Sequence, residues 1–190
     1  MVEKIVAISK QKVLNDIIQS LICMKAHYDT WWAFVHEGRQ GYDYKKAMLN
    51  NNDFIRTTEQ AHYIAAFVYF AHLFDKRKDS SSIPNYLSLI RTEVKTDCYD
   101  AWEEQFANLK NSAEPILKIR HKLIAHIDIQ LSESKIFTEV GLTWNEITNV
   151  LHDTTQFIAL LLLSEPCALG IPRDGRLSEA VIKALKKLAQ

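Results

Sequence analysis

The stretch Tyr63-Ile-Ala-Ala-Phe-Val-Tyr-Phe-Ala71 decides the fold. At about 100° per residue its apolar side chains cover nearly every face of a helix, and a helix apolar all round is one packed on several sides. This stretch predicts the central element of a helical bundle, running from about Asp53 to Phe74.

The pattern outside it agrees. Upstream, Val13, Leu14, Ile17, Ile18, Leu21, Met24, Tyr28, Trp31, Trp32 and Val35 recur at spacings of three and four, which predicts a long first helix ended by Gly38 and Gly41. Downstream, the polar loop Asp75 to Ser82 leads to Ser82-Ile-Pro84, a predicted N-cap with proline in the first turn, and a short helix to about Val94. Helical character resumes near Cys98 and continues to Ile127, with a kink or brief break expected at Pro115 or a new helix capped by Ser112. Leu131 to Leu142 reads as a loop. Thr143-Trp-Asn-Glu146 then has capping-box spacing and opens a helix to about Leu163, and a short amphipathic helix, basic outside, spans Ser178 to Leu188. With five glycines and four prolines, no alternating segments and no repeat, residues 1–190 are predicted to form a single all-α domain, an up-and-down bundle with additional short helices.

Bulk composition narrows the function. Twenty-three Lys and Arg balance 23 Asp and Glu, so the chain has no global basic field of the kind that drives non-specific nucleic-acid binding, and any such contact would have to come from a local patch. Cys23, Cys98 and Cys167 are scattered, which predicts buried free thiols and neither a disulfide framework nor a zinc site. The N-terminal Met-Val-Glu-Lys-Ile-Val does not read as a signal peptide, and the apolar run Phe157 to Leu163 is too short to cross a bilayer. A soluble cytoplasmic protein without membrane contact is expected. Phosphate loops, serine nucleophile elbows and zinc-protease helices have no match here.

One segment breaks its own pattern. On a helical wheel, Ile116, Leu117, Ile119, Leu123, Ile124 and Ile127 share a broad face, and Arg120 falls inside it. A permanently charged guanidinium on an apolar face needs a carboxylate, a phosphate or a water-filled cleft to offset its desolvation. A structural ion pair, or a packed stem with its head in water, would serve as well. His126 lies about 120° from Arg120, so in a straight helix the two diverge. Lys118, Lys122 and His126 form a spacing-four row beside the arginine, and His121 and Asp128 share a face.

The string Arg120-His-Lys-Leu-Ile-Ala-His126 resembles the Arg, four to six residues, His signature of the HEPN superfamily, including the polar residue after the arginine. Its longer context, Ile119 to Asp128 late in a helical chain, looks like HEPN proteins related to phage abortive-infection systems. The resemblance implies a helical bundle that dimerises through the motif face, and a metal-independent endoribonuclease that needs no cofactor. The expected biology is a toxin or phage-defence effector, with a possible antitoxin or regulatory protein as partner beside RNA.

The chemistry of the two residues agrees with that implication. Histidine accepts and returns a proton near neutral pH, so His126 suits deprotonation of the 2′-OH. Arg120 presents a planar fork to a charged phosphorane. A twofold interface would bring Arg120 of one chain near His126 of the other. His121 and Lys122 are auxiliary substrate-binding candidates, and Asp128 would hold a neighbouring imidazole in one tautomer. Two other readings stay open: a non-catalytic HEPN-like module that binds nucleotide, RNA or protein, and a plain helical dimer in which Arg120 makes an interchain ion pair. His27, His36, His62, His72 and His152 receive no role; His62 and His72 are expected to be hydrogen-bonded core histidines.

Overall fold

A computed structural model describes residues 9–38, 42–122, 141–163, 181–184 and 186–187. Among these residues every regular element is helical: α1 (Lys10–Trp32), a π-helical turn (Ala33–Gly38), α2 (Tyr42–Leu73), α3 (Ile83–Ile90), α4 (Thr96–Arg120) and α5 (Trp144–Leu163). Residues 181–184 and 186–187 are also helical, with Lys183, Lys186 and Lys187 exposed, as the predicted basic outer side requires. Among the described residues no helix is long and apolar enough to cross a membrane.

The chain divides into two compact units, one of Met1–Leu21 with Phe70–Gly170, the other of Ile22–Tyr69 with Ile171–Gln190, and the division falls inside α1 and α2. In the first unit, Leu14, Ile17 and Ile18 of α1, Phe70 and Leu73 of α2, Tyr86 and Ile90 of α3, Ile116 and Ile119 of α4, and Ile158 and Leu161 of α5 are buried. Helices α4 and α5 pack on each other. Phe106 links them to the turn after α2, with its ring 5.9 Å from Phe74 and 5.8 Å from Phe157. In the second unit Ala33, Phe34, Tyr44, Ala47, Ile55 and Val181 form one cluster. Trp31 packs in the core against Tyr63, centroid to centroid 5.4 Å.

The helix starts follow local chemistry. Ser9 accepts the Lys12 amide on its hydroxyl at 3.2 Å, satisfying one of the free donors of the first turn of α1. The capping box at α5 is complete: the Thr143 amide donates to a Glu146 carboxylate oxygen at 2.7 Å, and the Glu146 amide donates to Thr143 Oγ1 at 3.3 Å. The bonds from Thr143 hold the Glu146 carboxyl below its ordinary range.

Several expectations need correction. The apolar helix follows a kink at Asn51 (φ −139, ψ 37), as expected of a start near Asp53, but a further helical stretch from Tyr42 to the kink, which the sequence reading does not include, is joined to it in α2. Asn50, Asn51 and Asn52 explain the kink, because short polar side chains compete with the helical backbone, and Asn51 Nδ2 donates to Ala47 O at 3.4 Å. Ser82 precedes α3 but makes no cap bond; its hydroxyl donates instead to Asp75 O at 2.6 Å, pinning the loop. Helix α3 ends at Ile90, whose carbonyl accepts the amides of Glu93 and Val94 in a tight turn. Pro115 does not break α4. The carbonyl it deprives of a donor belongs to exposed Asn111, where water can serve, and Ser112 bonds back to Asn108 O at 3.3 Å inside the helix. Cys98 is exposed and Cys23 half-buried, neither of them in a disulfide among the described residues, while Cys167 lies outside the described residues.

Candidate nucleic-acid interface at the end of α4

Helix α4 positions the candidate site through its last two turns. Ala113, Ile116 and Ile119 are buried along one side, with Ile119 wholly enclosed, and this anchors the helix end. Arg120 follows at once, half-buried. Its Nε is enclosed yet meets no hydrogen-bond acceptor, and no ion pair among the described residues involves it. The carboxylate partner that a structural role would supply is therefore not found among the described residues.

An enclosed guanidinium N–H without an acceptor costs free energy, and such groups persist where function retains them. The helix also changes form here. The His121 amide reaches both Leu117 O and Lys118 O, and residues 121–122 continue in π geometry. Widened turns of this kind are frequent at functional sites.

The electrostatics favour an anion in part. Lys118 and Arg120 occupy the last turn of α4, where the helix macrodipole stabilises cations. Lys118 and His121 are exposed and Lys122 is half-buried. Positive groups therefore gather at this end, as the sequence predicts. His126 and Asp128 lie outside the described residues, as does the loop 131–140.

A family model described as HEPN_AbiU2, AbiU2, matches residues 3–163. The chain belongs to this family. The HEPN resemblance read from the motif and the abortive-infection subgroup are both confirmed, and the matched span of this AbiU2-type HEPN chain contains Arg120, His121, Lys122, His126 and Asp128. The basic residues at 183–187 fall beyond it. No curated protein and no solved structure matches the chain.

Elsewhere in this HEPN chain, two histidines that sequence reasoning left without a role are paired. His27 Nδ1 and His62 Nδ1 are 2.8 Å apart, and Tyr69 stacks on the His27 ring at 5.8 Å with 9° between planes. Burial pushes both imidazoles below the ordinary histidine range, and the His27 charge lowers His62 further. His72 meets Ser20 Oγ at 3.0 Å, the hydrogen-bonded histidine expected of it. The seven-residue spacing of His62 and Tyr69 was the available signal, since it places them on one face of α2. Among the described residues no group of three or more His, Cys, Asp or Glu could hold a metal ion.

Proposed function

We propose that this AbiU2-family protein is an endoribonuclease of the abortive-infection type that cleaves RNA without a metal, acting as a homodimer with Arg120 and His126 in a shared cleft. The observation that carries the reading is the position of Arg120: inside a family-matched span, at the end of α4, with an enclosed Nε that has no acceptor. A phosphate oxygen is the partner such a donor fits.

In this mechanism His126 removes the proton from a ribose 2′-OH, the 2′ oxygen bonds to the adjacent phosphorus, and the phosphorus–5′-oxygen bond breaks. The leaving oxygen takes a proton, so the products are a 2′,3′-cyclic phosphate and a 5′-hydroxyl end. Arg120 stabilises the charge that builds on the phosphorane. His121 and Lys122 hold the flanking backbone, and Asp128 fixes an imidazole tautomer. Supply of Arg120 and His126 by opposite chains of a twofold dimer answers their angular divergence on one helix. Cleavage of host RNA would make the protein a toxin, held in check by an antitoxin or other regulatory partner in the cytoplasm.

The test incubates the full chain with total RNA in excess chelator and compares it with Arg120→Ala and His126→Ala. Cleavage by the wild type, cyclic phosphate ends, and loss in both variants while the dimer persists are expected. RNA bound but never cut would assign the protein to non-catalytic HEPN modules instead.

A further inference from the structure

Residues 181–184 and 186–187 present two different sides. Val181 is buried in the cluster of Ala33, Phe34, Tyr44, Ala47 and Ile55, and Ile182 packs against that cluster. At about 100° per residue, Lys183, Lys186 and Lys187 fall within about 100° of one another on the side opposite Val181. All three are exposed, and no ion pair among the described residues engages them. The buried valine therefore fixes the three ammonium groups on the outer side.

The same cluster brings further cations to this unit. Tyr44, Ala47 and Met48 of α2 pack with Val181 and Ile182, and exposed Lys45 and half-buried Lys46 stand between Tyr44 and Ala47 in the chain. Ile55 joins the cluster beyond the kink, with exposed Arg56 next to it. Residues 44–56 and 181–187 thus supply Lys45, Lys46, Arg56, Lys183, Lys186 and Lys187 against one acid, Asp53. Glu59, the next acid along α2, is buried and accepts the Tyr44 hydroxyl at 2.7 Å. A chain without net charge concentrates positive charge here, which is the local patch that binding a polyanion requires.

Phe54 adds an independent feature. It directly precedes Ile55, and its side chain is 59% exposed. A solvated lysine face has no use for an exposed phenyl ring, whereas a base of a single strand stacks on one. A bilayer is a poorer match, because an interfacial helix buries its apolar side in lipid, and Val181 and Ile182 are already packed in protein.

We propose that this basic surface of the second unit, together with Phe54, binds single-stranded RNA through its phosphates and one stacked base. The surface rests on the ribonuclease reading and extends it: it belongs to the unit that does not contain Arg120, and its three outer lysines lie beyond the family-matched residues. Contacts to phosphate and to a base face read no sequence, so the surface favours long unpaired RNA over short fragments.

The experiment uses the full chain carrying His126→Ala, so that RNA stays uncut. Fluorescence anisotropy follows a single-stranded RNA of about 15 nucleotides across salt concentrations. The Lys183→Gln, Lys186→Gln, Lys187→Gln variant is expected to bind about tenfold more weakly, with a salt slope shallower by about 2, from three lost phosphate contacts on a single strand. Phe54→Ala is expected to weaken binding about fivefold with the slope unchanged, because stacking releases no counterions. A charge-matched Lys76→Gln, Lys78→Gln, Lys95→Gln variant should bind as the parent does. With His126 restored, the Lys183, Lys186 and Lys187 substitutions should raise KM for long RNA and leave kcat unchanged. RNA bound equally by parent and three-lysine variant would overturn the surface and leave the ribonuclease reading standing, as would a Phe54→Ala variant that binds like the parent. An equal loss in the charge-matched variant would overturn it by showing a general effect of charge. So would vesicles of phosphatidylserine and phosphatidylcholine that bind only through these lysines while RNA binding survives their loss. RNA held by these lysines but never cut would remove the ribonuclease reading and keep the surface. Wild-type protein that neither binds nor cuts RNA would remove both. Circular dichroism checks the fold of each variant, whose substitutions all lie at exposed positions.

Discussion

The Nδ1 atoms of His27 and His62 lie 2.8 Å apart, so one ring must donate and the other accept, and the pair is satisfied only while at least one imidazole is neutral. Both groups have folded pKa values below the ordinary 6.5, through burial first and through mutual charge at His62. The unfolded chain therefore binds protons more readily than the folded one. The stability this pair contributes is fully present above pH 6.5 and is lost as pH falls from there through the lowered folded values. Urea unfolding midpoints from pH 8 to pH 5 should decline in the wild type, and His62→Gln should flatten part of that decline. An identical pH profile in the variant would rule the pair out as its source.

Arg120 should show stability and activity moving in opposite directions. Its enclosed Nε has no acceptor among the described residues, so Arg120→Met, which keeps the stem and removes the donor, should raise stability by about 1 kcal/mol. Cleavage should fall by about 100-fold to 1,000-fold. A loss of several kcal/mol in denaturant melts would instead make Arg120 a structural residue.

The Tyr44 hydroxyl donates to a buried Glu59 carboxylate oxygen at 2.7 Å beside the Ala33, Phe34 and Ala47 cluster. Tyr44→Phe leaves the ring packed and removes one donor from an enclosed carboxyl, a change that should cost about 1.5–3 kcal/mol. Unfolding curves read this directly, and a neutral result would show that water takes over the bond.

Much of the helical plan is visible in local sequence because it is made by neighbours three and four residues apart. Thr143 and Glu146 announce the start of α5 and bond as their spacing requires. The stripe from Val13 to Met24 is buried along its length. The boundaries are less legible where a single residue faces competing demands. Asn51 bends α2 without ending it, and Pro115 is absorbed because the carbonyl it orphans lies on an exposed turn.

By itself, the sequence determined that the chain is helical and where its unusual arginine stands, since periodicity, caps and the Arg120 to His126 string are all local. Only the tertiary structure decided what that arginine meets, and that its Nε is enclosed with no acceptor among the described residues. The pairing of His27 with His62 likewise belongs to tertiary structure. Residues 35 positions apart meet only when separate elements pack, and no local spacing encodes that.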